Sequence, residues 1–440
     1  MQKIILGLAA LTLWMIYPAN SMEANTETYT ITPSSETYNC NYMSYPTYNR
    51  FTKHYYLFRS YLEQLEASGG GTLVLEKGTY TVSNVLFVPS NVTIILKDGA
   101  KIIKGHETGT SEFDADKSIF QFIRPSLGKE EGIYGEYNGE KNISIIGFGK
   151  ATIDLNFEKD GIAIIAGHNQ NISIENITFQ NMYSGHFIEM DATKDAVITN
   201  NRFIHSKPSS SRIKEAINID TPDKRTNGWS SKWSTFDKTP NSNISIENNV
   251  FHDLDRAIGT HKYSSGKYHD HIHISNNKIE KMRQDAIRLL NWRNATIENN
   301  IFKNVAPGKN KANRGILASG AINPTIQFNI FEDIPRAMQF IVWKNSHSGS
   351  EYDATYNELS EENKEALSTN TVINYWEDFI RINPKYKKYD KKHTEFIPVR
   401  TVQSPIFPQE GASYPKTLDF TKFYFRRRNA FSDIQEGFEE

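Results

Sequence analysis

A nine-residue phrase, Asn-Ile-Ser-Ile-Glu-Asn-Ile-Thr-Phe at 171–179, recurs from residues 195, 243, 271, 294 and 323. Its second position reads Ile172, Ala196, Ile244, Ile272, Ala295, Pro324, and its fourth reads Ile174, Ile198, Ile246, Ile274, Ile297, Ile326. The sixth reads Asn176, Asn200, Asn248, Asn276, Asn299, Phe328, and the ninth Phe179, Phe203, Phe251, Ile279, Phe302, Phe331. A unit repeating with an isoleucine column and an asparagine column is the mark of a solenoid, which stacks equivalent residues at a fixed pitch. The spacings are 24, 48, 28, 23 and 29 residues. Alternating apolar positions argue for strands, and a coil of this length holds two or three short ones. Such coils pair in parallel, roughly 4.8 Å apart. Asparagine suits the corner because it tolerates left-handed backbone and bonds its own main chain. Stacked asparagines also bond one another. The gap of 48 residues reads as one coil plus an excursion over 221–242.

Ahead of the repeats stand Ala67-Ser-Gly-Gly-Gly-Thr-Leu-Val-Leu-Glu-Lys-Gly-Thr-Tyr80 and Val88-Pro-Ser-Asn-Val-Thr-Ile-Ile-Leu96. With the repeats they resemble the pectate-lyase-like, right-handed parallel β-helix superfamily over residues 51–343. That resemblance implies an all-β, single-stranded right-handed parallel β-helix with an N-terminal capping helix and a C-terminal cap and tail. Residues Phe51–Ala67 read as the amphipathic helix, with Tyr55, Leu57, Phe58, Leu62 and Leu65 as its apolar positions. Plugging the open end makes physical sense, because an exposed solenoid end invites edge-to-edge pairing.

The chain's 440 residues suffice for one large elongated domain. Fifty basic residues nearly cancel 51 acidic ones, which argues against a nucleic-acid partner. Residues 1–21 read as a secretory signal: Lys3 supplies the charge, Ile4–Tyr17 the apolar run, and Ala19-Asn-Ser21 the cleavage site. The run is short for a membrane span, so a secreted or periplasmic protein with no membrane association after cleavage is expected. Cys40 is the single cysteine and excludes an intrachain disulfide. Residues 22–50 read as an N-terminal extension, 51–344 as the β-helix with its cap, and 345–440 as a helical cap and tail. The Arg426-Arg427-Arg428 run reads as solvated or acid-paired surface.

Each coil carries a second apolar phrase after its phenylalanine column. Stacked, these begin at Asp160, His186, Glu215, Arg256, Asp285, Arg314 and Arg336. Period-two geometry points the fourth and sixth positions outward. The fourth reads Ala163, Glu189, Asn218, Gly259, Arg288, Leu317, Gln339, and the sixth Ile165, Asp191, Asp220, His261, Leu290, Ser319, Ile341. Polar residues therefore concentrate in the middle coils, where a merely solvated face would scatter them. Gly259 leaves a dent, and His186, Glu215, Arg256, Asp285 and Arg314 occupy the corner. The excursion adds Trp229 and Trp233, and the loop over 303–313 adds Lys309 and Lys311. Indole faces stack on sugars and basic walls attract anionic ones.

Asp191 and Asp220 are expected one coil apart, roughly 5 Å. Carboxylates that close cannot both ionise freely, so one acid constant should rise, as a general acid for glycosidic cleavage requires. His261 would tune or relay the proton, and Arg288 would clamp a substrate carboxylate. The order Asp, His, Arg on successive coils is similar to that of polygalacturonase-type glycoside hydrolases. The local motifs depart from that family's: Asn218-Ile-Asp220, Gly259-Thr-His261 and Arg288-Leu-Leu290 replace its Asn-Thr-Asp, Gly-His-Gly and Arg-Ile-Lys, and the Asp-Asp pair is missing.

The expected function is cleavage of an acidic polysaccharide in a groove over 186–319. Catalysis falls to Asp220, His261, Asp191, Glu189 and Arg288. Sugar binding falls to Asn218, Glu215, His186, Arg256, Asp285, Arg314, Trp229 and Trp233. A polysaccharide lyase or C5-epimerase is the alternative, with Ca²⁺ held by Glu189, Asp191 and Asp220. A non-catalytic, glycan-binding adhesin is the other, with Glu215–Arg256 and Asp285–Arg314 as an ion-paired ladder. No cofactor is otherwise required, and the sequence leaves the oligomeric state open.

Overall fold

The computed structural model describes residues 27–208, 214–226, 229–305, 314–344, 354–375, 377–386 and 392–402. The signal-like segment, Lys309, Lys311 and the Arg426–Arg428 run lie outside the described residues.

Each coil contributes three strands, as in His186–Asp191, Lys194–Thr199 and Arg202–Ser206. Each pairs in parallel with its equivalent one coil on: Glu215–Asp220, Ser242–Glu247 and Val250–Leu254. Among the described residues this stacking builds one sheet of 21 strands and one of 11. The chain is a right-handed parallel β-helix, the hand that parallel crossover connections adopt.

The repeat sets the register residue for residue. Ile174, Ile198, Ile246, Ile274, Ile297 and Ile326 are successive partners. So are Phe179, Phe203, Phe251, Ile279, Phe302 and Phe331. All are buried. Phe179 and Phe203 stack with centroids 5.0 Å apart, Phe203 and Phe251 at 4.9 Å. Both columns repeat because one shape fills the core at every level.

Two neighbouring positions divide the work of the corner. Asn176, Asn200, Asn248, Asn276, Asn299 and Phe328 all have φ between 55° and 59°, the left-handed turn. Asparagine takes this conformation more readily than other side chains do. The hydrogen-bonded ladder lies one residue later, at Asn201, Asn249, Asn277, Asn300, Asn329 and Asn370. Each amide from Asn201 to Asn329 donates to the next side-chain carbonyl oxygen and to a main-chain carbonyl, as Asn277 does to Asn300 (2.9 Å) and Ile246 (2.8 Å), and Asn370 ends the ladder on main-chain carbonyls. Buried polar groups are paired in this way because an orphan costs its full desolvation.

Helix Lys53–Ala67 caps the N-terminal end and buries Tyr56, Leu57, Phe58, Leu62 and Leu65. Strand Thr28–Ile31 pairs beside Gly71–Leu75. At the far end, helix Glu361–Ser368 begins with a reciprocal cap between Ser360 and Asn363. Beyond it the coils continue past the point where the repeat fades. Thr371–Tyr375 pairs with Ile330–Ile334, and Phe379–Ile382 pairs with Met338–Phe340. Asn370 joins the ladder although no copy of the nine-residue phrase surrounds it.

Candidate functional site

The strands His186–Asp191, Glu215–Asp220, Arg256–Gly259 and Ile287–Arg293 lie side by side. Glu189 is opposite Asn218, and Asp191 is opposite Asp220. Asn218 is opposite Gly259, which is opposite Arg288. One coil earlier the alignment shifts by two residues from the sequence reading: Ile165 pairs with Glu189, and Gly167, not Ile165, pairs with Asp191. A shift of two keeps each side chain on its face.

Apolar walls close both ends of this polar stretch. On the early side Ile165 packs with Ile123, Tyr134, Trp229 and Trp233. A Cβ at Gly167 would enter both indole rings, so glycine is required for them to sit there. The sequence reading of Trp229 and Trp233 as open stacking faces is corrected: they are 5% and 2% exposed. Covering the outward Ile165 is how a loop over a solenoid buries its own apolar area. Trp233 Nε1 donates to Gln121 (3.0 Å), and His168 Nε2 meets Ser234 (2.7 Å), which pins the excursion down. On the late side Leu290, Leu317 and Ile341 pack with Tyr263 and Trp343.

The corner column forms an ion-paired ladder. Arg256 Nη1 meets Glu215 Oε1 at 2.7 Å, and its Nε donates to the Asp285 carbonyl at 3.2 Å. Arg314 bonds both Asp285 oxygens, at 2.9 and 3.1 Å, and donates to Gln339 at 3.0 Å. Arg256, Asp285 and Arg314 are thus committed to each other and do not present free groups to a sugar. Burial alone would raise Glu215, but Arg288 and then Arg256 outweigh it and hold its carboxyl below the usual range. His186 Nδ1 donates to the Glu215 carbonyl (2.6 Å), and burial, then Lys214, lowers its imidazole to about 4.

Arg288 is corrected as a substrate clamp. Its Nε donates to the Thr260 carbonyl (2.9 Å) and its Nη2 to the His261 carbonyl (2.8 Å), with Glu215 at 3.4 Å. It holds the turn that carries His261. Gly259 is likewise no open dent: a Cβ there would lie 2.8 Å from the Arg288 carbonyl oxygen, so the next coil already uses that space. After Gly259 the chain turns away. The main-chain N–H of His261 donates to Asp220 Oδ1 at 2.7 Å, and that of Lys262 to the same oxygen at 3.3 Å. Thr260, held by Ile219 and Trp292 (both 2.7 Å), fixes this turn.

What remains is a buried group without partners. Both oxygens of Asp191, Oδ1 of Asn218, Oδ2 of Asp220, Oε2 of Glu215 and Nδ1 of His261 have no hydrogen-bond partner among the described residues. Asp191 is wholly buried, and Asn218 and Asp220 are 1% exposed. The Asn218 amide offsets part of the rise at both Glu189 and Asp220. Burial, then the charge of Asp220, raises Glu189 to about 8. Burial, then Glu215, raises Asp220 to about 7. Asp191 is raised by burial, then by Glu189 and Asp220. His261 is lowered by burial, then by Lys214. Lys214, which ends the basic stretch before Glu215, supplies a positive charge that acts on His186, Glu189 and His261. Among the described residues no three His, Cys, Asp or Glu side chains converge in a way that could hold a metal ion. The arrangement of Glu189, Asp191 and Asp220 therefore gives no support to the calcium expectation.

No family model matches the chain. The plasmin and fibronectin-binding protein A of Streptococcus pneumoniae is 25% identical over 268 residues, 55% of this chain and 36% of that protein. The chain thus spans about a third of the length of the curated relative it matches. Two solved structures of PfbA, a surface adhesin of Streptococcus pneumoniae, are similar. One has a TM-score of 0.51 at 18% identity, covering 79% of this chain and 90% of that one. The other has a TM-score of 0.50 at 16% identity, covering 85% and 100%. They share the parallel β-helix. No helix among the described residues is long and apolar enough to cross a membrane.

Proposed function

We propose that this chain is a secreted or surface-exposed glycan-binding β-helix of the adhesin kind, with its ligand site at Asp191, Asn218, Asp220 and His261. The observation that carries this reading is the set of buried, unpartnered polar atoms on those residues and Glu215. Orphaned buried groups cost about 1–3 kcal/mol each, and a ligand rich in hydroxyls relieves that cost. The corner arginines and acids are consumed in an ion-paired ladder, as a binding scaffold requires. The similar structures being those of a surface adhesin accords with it.

One observation favours a second reading, glycosidic cleavage. Asp191 and Asp220 are register partners whose carboxyls are both raised by burial and neighbouring charge, Asp220 to about 7. In this reading Asp191 protonates the leaving oxygen and Asp220 Oδ2 acts as base or nucleophile. His261 Nδ1 lies 3.9 Å from Glu215 Oε2 with no hydrogen-bond partner among the described residues, and burial, then Lys214, keeps the imidazole neutral. Lyase or epimerase chemistry would draw its base from His261, since Arg288 is engaged with the turn.

The deciding experiment is glycan-array binding beside assays for new reducing ends and for the ultraviolet absorbance of unsaturated uronate, with fibronectin and plasmin as protein arms. Saturable glycan binding without product, lost in Asn218→Ala, is the expected result. Product formation abolished by Asp220→Asn would move the assignment to cleavage. Capture of fibronectin or plasmin with no glycan bound would overturn both.

A further inference from the structure

We infer that the sugar face seated against Asp191, Asn218 and Asp220 is neutral and hydroxyl-rich, not a uronate; this rests on the glycan-binding reading and deepens it. Sequence alone pointed to an anionic polysaccharide, from basic loops and from Arg288 as a carboxylate clamp. The site itself is built otherwise.

Carboxylate and phosphate ligands are held by fixed donors: the guanidinium fork, or main-chain N–H groups. Among the described residues around this cluster those donors are spent. Arg288 serves the Thr260 and His261 carbonyls, and Arg256 serves Glu215 and the Asp285 carbonyl. Arg314 serves Asp285 and Gln339. The N–H groups of His261 and Lys262 both point at Asp220 Oδ1. Of the six unpartnered side-chain atoms, five are oxygens of Asp191, Glu215, Asn218 and Asp220, and the sixth is a ring nitrogen.

A ligand carboxylate only accepts hydrogen bonds, so it could pair here only with a carboxyl that carries its proton, and would meet Asn218 Oδ1 and every ionised carboxylate oxygen with an oxygen. It would also add a charge beside Glu215, which Arg288 and Arg256 keep ionised. Lys214 and Lys262 are the nearby ammonium groups, and their charges act on Glu189, His261 and Asp220. They offset carboxyls already present. A hydroxyl both donates and accepts. It can therefore pair with Asp191 or Asp220 whether or not the carboxyl carries its proton, and with Asn218 Oδ1 as donor.

The test is quantitative binding by the full chain to matched polymers: polygalacturonate and alginate, each beside its carboxyl-reduced form, with neutral mannans, glucans and galactans alongside. The expected result is that a neutral polymer binds, and that a uronate polymer binds at least tenfold more weakly than its reduced form. Binding to the neutral polymer should change less than twofold with added salt and fall at least tenfold in Asp191→Asn. Asp191→Ser is the second variant, and thermal unfolding checks that both remain folded. Tighter binding of a uronate form, weakening steeply with salt as an exposed ionic contact does, overturns the inference while leaving the glycan reading standing. Failure of every glycan to bind overturns the glycan reading, and this inference with it.

Discussion

Asp191 and Asp220 are register partners on adjacent coils, yet their side chains are not equivalent. Asp220 spends one oxygen on the main-chain N–H groups of His261 and Lys262, whereas neither oxygen of Asp191 has a partner among the described residues. The same residue type thus ends the strand in both coils, but only in the second does the following turn return to bond it.

Protonation of this cluster should be visible in stability. Glu189 rises from 4.5 to about 8, and Asp220 from 3.8 to about 7. Groups raised on folding hold their proton more tightly in the folded state, so their contribution is complete at low pH and is lost as pH rises through those values. His186, ordinarily at 6.5 and lowered to about 4, acts with the opposite sign and mostly below this window. Between pH 6.5 and pH 8 the free energy from denaturant unfolding is expected to fall. Glu189→Gln should make that fall shallower; equal slopes for the two proteins would refute the assignment.

The ion ladder makes an asymmetric prediction. Asp285→Ala leaves Arg314 buried without its bidentate partner and should cost about 3–5 kcal/mol. The double variant Asp285→Leu with Arg314→Met removes both charges and should recover part of that loss. Urea titration of the three proteins measures it.

Adjacent asparagines should behave differently. Asn276 sits at φ 56°, where glycine is at ease, so Asn276→Gly is expected within about 0.5 kcal/mol of the parent. Asn277 bonds Asn300, Asn249 and the Ile246 carbonyl. Asn277→Ala should cost about 1–3 kcal/mol. Denaturant midpoints of the pair decide it; equal costs would contradict the division of roles.

The Trp229–Trp233 wall depends on a missing side chain. Gly167→Ala places a methyl group inside both rings, and overpacking of this kind costs about 1–3 kcal/mol. The indoles should shift outward, with tryptophan emission moving to longer wavelength. Trp229→Ala should uncover Ile165 and cost about 3–5 kcal/mol. Unchanged emission in Gly167→Ala would mean the wall sits elsewhere.

Much of this architecture is legible in the chain. The columns Ile174 to Ile326 and Phe179 to Phe331 predict the register because a solenoid core is one layer repeated, and outward positions follow from period two. The clustering of Glu189, Asp191, Asn218, Asp220 and His261 is readable for the same reason. The bonded asparagine ladder was one residue from the conspicuous column, because Asn176 and its equivalents are selected for backbone conformation and Asn201 and its equivalents for burial. Sequence resemblance between copies does not separate those two demands.

What the sequence by itself determined is therefore stacking and facing: local alternation and turn preference act within one coil, and every coil repeats them. Only the tertiary structure decided which outward residues are covered and which partners they take. Trp229 and Trp233 became a wall because residues from coils well over 100 positions apart in places, Gln121 with Trp233, meet over Ile165. Arg288 turned from an expected clamp into a brace for the His261 turn, because Gly259 lets its strand approach closely enough to reach two carbonyl oxygens. Hydrogen bonds and desolvation depend on distances between coils, and no periodicity along the chain encodes them.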